Sequence, residues 1–301
     1  MHIGIVGCGI IGTRMGRNWL QAGHVVAGWN RTPENARDAG FPLVESPAAL
    51  AACSDIILLV VADPAALAAV VTGPAGITSS SLVGKVVLNA GTVGPADNRR
   101  AAEAVRQAGG DFLEVPFTGS KAGAAAAKLV FYVGGDRELF ARLEPLLLQV
   151  GQKCFHFGAV GAAADAKLIM NMMLANQMEA LAEGFNFAQK AGLDGTTFAE
   201  AYKMNAGYSV LAVMKVNSML AGDYSTHFAL KHMDKDVRLA LERARQLHAA
   251  APLTERLKEV FTQAMTAGWG DADFSVLYRL VSEREAGMKK IVPPLPGTSI
   301  R

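Results

Sequence analysis

The chain has 301 residues, 51% of them hydrophobic and 19% charged, and a formal net charge of +2. That length supports one large domain or two ordinary ones, each with a core of its own. Lysines and arginines are scattered rather than gathered into a basic stripe, which argues against nucleic acid as a partner.

The first segment goes almost directly into an apolar run, M-H-I-G-I-V, with no basic region or cleavage site ahead of it. No signal peptide is expected, and a cytoplasmic location follows as the default. No apolar stretch reaches the roughly 20 residues of a membrane span, so no membrane partner is expected. Runs at 3–6, 25–29, 56–61, 86–89 and 112–115 are continuous apolar stretches that predict parallel strands covered on both faces. Ala- and Leu-rich segments such as 64–71 and 95–108 lie between them with a helical period. Alternating β and α predicts an α/β fold with an N-terminal, Rossmann-type doubly wound sheet. Two further runs, 129–133 and 153–157, frame a helix from Asp136 to about Val150 and extend the same sheet. After Gly161 only helical periods are found, at 162–190, 196–206, 208–221, 229–249 and 253–268, which predicts an all-α second domain. The expected division is therefore 1–161 for the nucleotide domain and 162–290 for a helical substrate and dimerisation domain. A loose, proline-rich tail follows at 291–301.

Gly7, Gly9 and Gly12, in G-C-G-I-I-G, directly follow the first strand and open a helix. In a dinucleotide fold, Gly7 permits the tight turn, Gly9 lets backbone approach the pyrophosphate, and Gly12 lets helix and strand pack closely. Ile10 and Ile11 lie in the same turn, where the helix N-terminus offers N–H groups to the anion. At the end of the second strand, NAD sites usually carry an acid for the ribose 2′-hydroxyl. Here the chain reads Gly28-Trp29-Asn30-Arg31-Thr32, with no acid before Glu34. Arg31 can pair with a 2′-phosphate while Asn30 and Thr32 donate to the same oxygens, so NADP is the expected cofactor. The same N-R-T-P segment also suits an ordinary turn that caps a helix, and the two roles are compatible.

The helix at 166–178 is apolar nearly all round, as a core or interdomain helix would be. Its one charge is Lys167, with Asn171 a turn further along the same face. Such a lysine can protonate a carbonyl oxygen while hydride arrives at carbon, with Asn171 orienting the substrate or the amine. It can equally snorkel its amine to water. Lys235-Asp236 would place an ammonium near that site, with Asp236 holding it in position, although a K-D pair on a helix is ordinarily a solvated face. Cys8, Cys53 and Cys154 show no C-x-x-C pairing, so reduced thiols are expected, with no metal site, and Cys8 in the glycine turn reads as small-residue packing.

Six motifs in order carry a resemblance over roughly residues 2–290: G-C-G-I-I-G, the N-R-T turn, T-V-G-P at 92–95, E-V-P-F-T-G-S-K at 114–121, the helix of Lys167 and Asn171, and Phe228 spaced to Lys235-Asp236. Together they resemble the β-hydroxyacid dehydrogenase family, particularly its glyoxylate/succinic semialdehyde reductase branch. The resemblance implies Lys167 as general acid/base with Asn171 its partner, and Thr92 as a contact near the nicotinamide ribose. It also implies a substrate carboxylate held by Thr118, Gly119 and Ser120, beside Lys167 and Asn171. Phe228 is then an aromatic beside the nicotinamide, Lys235 a cofactor contact, and Val60, Val61 and Ala62 the adenosine side. The expected activity is NADPH-dependent reduction of glyoxylate, succinic semialdehyde or a similar oxo-acid. An imine reductase is the close alternative, though those generally lack a lysine at this position. A silent NADP-binding sensor or scaffold is the distant one. The chain departs from the family at Asn89 (usually Asp), Gly91 (usually Ser), Thr118 (commonly Ser) and Ala163 (frequently Gly). It also departs in the A-G-A-A-A-A-K run after the substrate loop. The long apolar helices imply a homodimer or homotetramer.

Overall fold

The computed structural model describes residues 1–283. The expected tail at 291–301 and the stretch 284–290 lie outside the described residues. By mutual contact the chain groups into two compact units, one of Met1–Met173 with His232–Lys258, the other of Leu174–Lys231 with the chain from Glu259 onward.

In chain order the first unit begins with β1 (His2–Val6), α1 (Ile10–Gln21), β2 (Val25–Trp29), α2 (Pro47–Ala52), β3 (Ile56–Leu59) and α3 (Pro64–Thr72). It goes on with β4 (Val86–Asn89), α4 (Pro95–Gln107), β5 (Asp111–Glu114), a two-residue β6 (Phe117–Thr118), α5 (Lys121–Ala125), β7 (Leu129–Gly135), α6 (Arg137–Leu147) and β8 (Gly151–Gly158). All eight strands form one sheet, ordered β2-β1-β3-β4-β5-β7-β6, with β8 against β7. Strands β1 to β5 pair in parallel. Ile56 and Leu58 pack with Met15 and Trp19 in one cluster, while Ile57 and Leu59 pack with Leu50, Leu67 and Val105 in another. Successive residues of β3 thus bury opposite faces, which is why its sequence is apolar without alternation.

The sheet is not parallel throughout. β7 runs antiparallel to β5 and β6, and β8 then runs parallel to β7. The chain turns back through the small helix α5 instead of crossing over the sheet, and only a crossover places the next strand parallel. The 56–61 run also stops short as a strand, at Leu59.

Local chemistry starts the short helices. Ser46 and Asp63 each precede a P-A-A-L segment and accept the N–H of Ala49 and Ala66, at 3.0 and 2.8 Å. Proline at the first helical position has no N–H to leave unpaired.

From Ala162 the elements are helical: α7 (Ala162–Lys190), α8 (Gly195–Lys203), α9 (Val210–Leu220), α10 (Leu230–Gln246), α11 (Pro252–Thr266) and α12 (Leu277–Glu283). Within the second unit, Phe185 meets Phe198 and Tyr202 edge-on at 5.0 and 5.9 Å. Lys215 and Asp273 form a buried ion pair there at 2.7 Å. Among the described residues, no helix is long and apolar enough to cross a membrane.

Candidate active site

Gly7 has φ of +101°, and a side chain on it would meet the Val60 carbonyl oxygen at 2.2 Å. A side chain on Gly12 would meet the Gly7 carbonyl oxygen at the same 2.2 Å. These two glycines are required by the protein's own packing. Gly9 differs, since a Cβ there would face open space with no atom within 4 Å. It is the N-cap residue of α1, which has no side-chain cap and no acid in its first turn. The first N–H groups of a helix are left without internal partners, and the dipole makes them attractive to an anion. The residues therefore fit a dinucleotide pyrophosphate at Gly9, Ile10 and Ile11. Cys8 is buried, its Sγ bonded to the Ile5 carbonyl at 3.5 Å, and burial pushes its thiol up to about 12. It packs the turn and is no nucleophile at neutral pH.

Arg31 and Thr32 are exposed at the end of β2, with Asn30 half-buried beside them. Asn30 uses one amide N–H to hold the Thr32 carbonyl at 2.7 Å, which stiffens the turn. Thr32 does occupy the cap position of a short 3-10 turn, Pro33–Ala36, but its hydroxyl makes no capping bond. That hydroxyl is left for another partner. Val60 and Val61 are half-buried and Ala62 exposed, just past the end of β3.

Lys167 lies on the second turn of α7, half-buried as a residue with its ammonium turned inward. Burial pulls its pKa down to about 8, the Asp236 carboxylate holds it up, and the Lys235 charge lowers it further. Asn171, one turn on, is buried and donates to Asp236 Oδ2 at 2.6 Å. The Lys235 ammonium lies 2.8 Å from Asp236 Oδ1, with side chains only 13% and 1% exposed, so this K-D pair is not a solvated face. Lys235 also donates to the carbonyl oxygen of Thr92. Within the first unit, then, Thr92, Lys235, Asp236 and Asn171 form one connected chain of polar contacts. Asp236 stands at its centre, and the sequence had singled it out only as a holder for Lys235. A second anchor is Arg243, whose guanidinium grips Asp165 on the first turn of α7 at 2.8 and 3.0 Å.

Thr118 and Gly119 are exposed and Ser120 half-buried, Gly119 with φ of +140°. The Ser120 hydroxyl oxygen accepts the Gly123 N–H at 3.1 Å and so caps α5, leaving its own O–H free to donate. Phe228 belongs to the second unit. Its N–H donates to Asp273 Oδ2 at 3.0 Å and its ring meets Phe274 edge-on at 6.1 Å.

Comparison with known proteins agrees with this fold. Residues 2–158 match the family described as the NAD binding domain of 6-phosphogluconate dehydrogenase. Residues 161–281 match that described as NAD-binding of NADP-dependent 3-hydroxyisobutyrate dehydrogenase. These define an oxidoreductase built on an NAD(P)-binding fold. More narrowly, the chain belongs to the NAD(P)-dependent β-hydroxyacid dehydrogenase family, the group of 3-hydroxyisobutyrate dehydrogenase. It is 33% identical over 284 residues to glyoxylate/succinic semialdehyde reductase 1 of Arabidopsis thaliana, covering 93% of this chain and 98% of that protein. It is 31% identical over 281 residues to the cytokine-like nuclear factor N-PAC of Anopheles gambiae, covering 92% of this chain but only 49% of that protein. Among solved structures, a Mycobacterium tuberculosis 3-hydroxyisobutyrate dehydrogenase with L-serine superposes with a TM-score of 0.83 at 27% identity, over 93% of this chain and 98% of that one.

Proposed function

We propose that the protein is an NADPH-dependent reductase of short oxo-acids or semialdehydes, such as glyoxylate and succinic semialdehyde, yielding the hydroxy acid. The observation that carries this is Lys167, held near pKa 8 by burial and flanked by the Asn171–Asp236 hydrogen bond. An ammonium tuned close to neutral pH is suited to give up a proton. Bound NADPH supplies the hydride. Lys167 donates its Nζ proton to the nascent alkoxide oxygen, and Asn171, fixed by Asp236, orients the substrate. Thr118, Gly119 and Ser120 hold the substrate carboxylate through N–H and hydroxyl donors.

The glycine turn takes the pyrophosphate. Val60, Val61 and Ala62 line the adenosine side, while Thr92, Lys235 and Phe228 contact the nicotinamide end. NADP is favoured over NAD because the end of β2 offers Arg31, Asn30 and Thr32 and no carboxylate before Glu34. Residues 1–161 serve as the cofactor domain and 162–290 as the helical substrate and dimerisation domain. Self-association into a homodimer or homotetramer is supported by large apolar side chains left exposed on the helices, among them Phe187 at 76% and Val210 at 76%.

The test is a spectrophotometric screen of NADPH oxidation against a panel of oxo-acids and semialdehydes, with cyclic imines alongside. Turnover of an oxo-acid, lost by orders of magnitude in Lys167→Ala with NADPH affinity retained, is the expected result. Turnover of imines alone would replace this reading with imine reduction. NADPH binding without oxidation of any substrate would point to a sensor.

A further inference from the structure

A single file of buried hydrogen bonds crosses the first unit, from the loop after β4 to the start of α7. The Gly91 N–H donates to Asn89 Oδ1 at 3.1 Å, Asn89 Nδ2 to Asn98 Oδ1 at 2.7 Å, and Asn98 Nδ2 to Glu114 Oε2 at 2.6 Å. The other carboxylate oxygen, Glu114 Oε1, accepts the backbone N–H groups of Gly161 at 2.8 Å, Ala163 at 2.8 Å and Ala164 at 3.3 Å. Asn89, Asn98 and Glu114 are all 0% exposed. Room for the carboxylate comes from Gly134 in β7, where a Cβ would lie 2.2 Å from Glu114 Oε1.

Direction is the informative property of this file. Every donor points towards Glu114, and each end is closed by backbone N–H groups that cannot turn round. An ionised carboxylate accepts on both oxygens, so it is the group that lets both ends be satisfied at once. Its near end caps the first turn of α7, where a helix of 29 residues otherwise leaves N–H groups unpaired. Lys167 stands about one turn beyond Ala163. The far end fixes Gly91, the residue before Thr92, whose carbonyl accepts from Lys235.

We propose that Glu114 is a positioning residue for the reduction: through Asn98 and Asn89 it locks the loop bearing Thr92 and the helix bearing Lys167 into one geometry. This rests on Lys167 being the proton donor. A carboxylate that merely stabilised the fold would cap the helix equally well without the two asparagines.

Glu114→Gln tests the directionality. If the new amide keeps its oxygen on the helix N–H groups, its Nε2 faces Asn98 Nδ2. Flipping Asn98 and then Asn89 only moves the donor–donor clash to the Gly91 N–H. The second variant, Asn98→Asp with Glu114→Gln, restores the pattern. The carboxylate introduced on α4 then accepts from the amide introduced on β5 at one oxygen and from Asn89 at the other. Asn98→Asp alone sets two carboxylates face to face and should be worse than the double variant. For Glu114→Gln we expect kcat on the best oxo-acid to fall about tenfold with KM for NADPH within about twofold, as for a small misplacement of a reacting group. The double variant should recover most of the loss. An unchanged kcat in the single variant, or no recovery in a folded double variant, overturns the proposal.

Amide hydrogen exchange on the cofactor-free protein separates this from the reductase reading. Exchange should quicken in Glu114→Gln both at 161–164 and at Gly91, and slow again in the double variant. Quickening at 161–164 alone overturns the proposal, whatever the activity. A wild-type protein inactive on every oxo-acid would refute the reductase assignment while leaving the exchange result to stand.

Discussion

Asn171 donates to Asp236 at 2.6 Å across 65 residues of sequence, and both side chains are buried. The bond ties the middle of α7 to α10 and leaves the second Asp236 oxygen facing Lys235 at 2.8 Å. Lys167 is thereby set between one charge that raises its pKa and one that lowers it.

The two charges should move the pH profile in opposite directions. Reduction needs protonated Lys167, so the rate at saturating NADPH is full below about 8 and falls above it. Asp236→Asn removes the charge that favours the ammonium, and the fall-off should begin at lower pH. Lys235→Met removes the opposing charge, and it should begin at higher pH. Profiles of kcat against pH for the two variants check this; a shift of both in one direction contradicts the arrangement.

Lys167 should also weaken the fold. Its pKa is lowered in the native state, from 10.5 to about 8, so below pH 8 both states are protonated and the native state carries the full burden of the buried charge. Between about 8 and 10.5 the unfolded chain holds a proton the native one has released, and stability rises with pH. Lys167→Met should therefore raise Tm at pH 7, by about 2–4 °C for each kcal/mol relieved. The gain should shrink by pH 10. Calorimetry at the two pH values reads it, beside a turnover that is lost.

The three glycines of the turn should separate by assay. Gly9→Ala points into open space, so the fold should hold its Tm while NADPH binding collapses. Gly12→Ala drives a methyl against the Gly7 carbonyl and should lower Tm by several degrees, even without cofactor. Equal thermal losses in both variants would remove the distinction.

Cofactor choice should rest on Arg31. Arg31→Ala is expected to raise KM for NADPH about 10- to 100-fold, the worth of a charge-assisted contact to phosphate, and to leave KM for NADH nearly unchanged. Comparable loss with both cofactors would argue against a 2′-phosphate role.

In the second unit, Asp273 holds the Lys215 ammonium at 2.7 and 2.8 Å and also accepts the N–H groups of His227, Phe228 and Ser275. Burial works to raise the Asp273 carboxyl, and Lys215 with the N–H groups of Phe228 and Ser275 holds it below the usual range. Asp273→Ala strands a buried lysine and should cost about 3–5 kcal/mol by chemical denaturation. Lys215→Met with Asp273→Leu removes both charges and should recover part of the loss. A double variant less stable than Asp273→Ala would rule out the stranded charge as the cause.

Most of the sheet was legible because buried parallel strands are long apolar runs, and the glycine turn announces its own context. Lys167 and Asn171 could be paired from their spacing on one helix. The bonds of Asp236 to Asn171 and of Glu114 to the start of α7 were not visible, since they span tens of residues and carry no periodic signal. The strand at 129–133 was expected, but its antiparallel direction escaped because the five-residue helix before it lies in an Ala-rich run that reads as loop. The helix from Pro64 was expected from its Ala- and Leu-rich run, whereas the short one from Pro47 was not.

The closeness of Gly134 to Glu114 has a consequence for how this sequence can change. A methyl at 134 cannot coexist with the carboxylate in its present hydrogen-bonded position, so a step away from glycine displaces that carboxylate unless position 114 has first been shortened. The two positions form a lock with an order of opening. Drift in this region takes the acid first and the glycine second, and a library that varies position 134 alone will see only glycine.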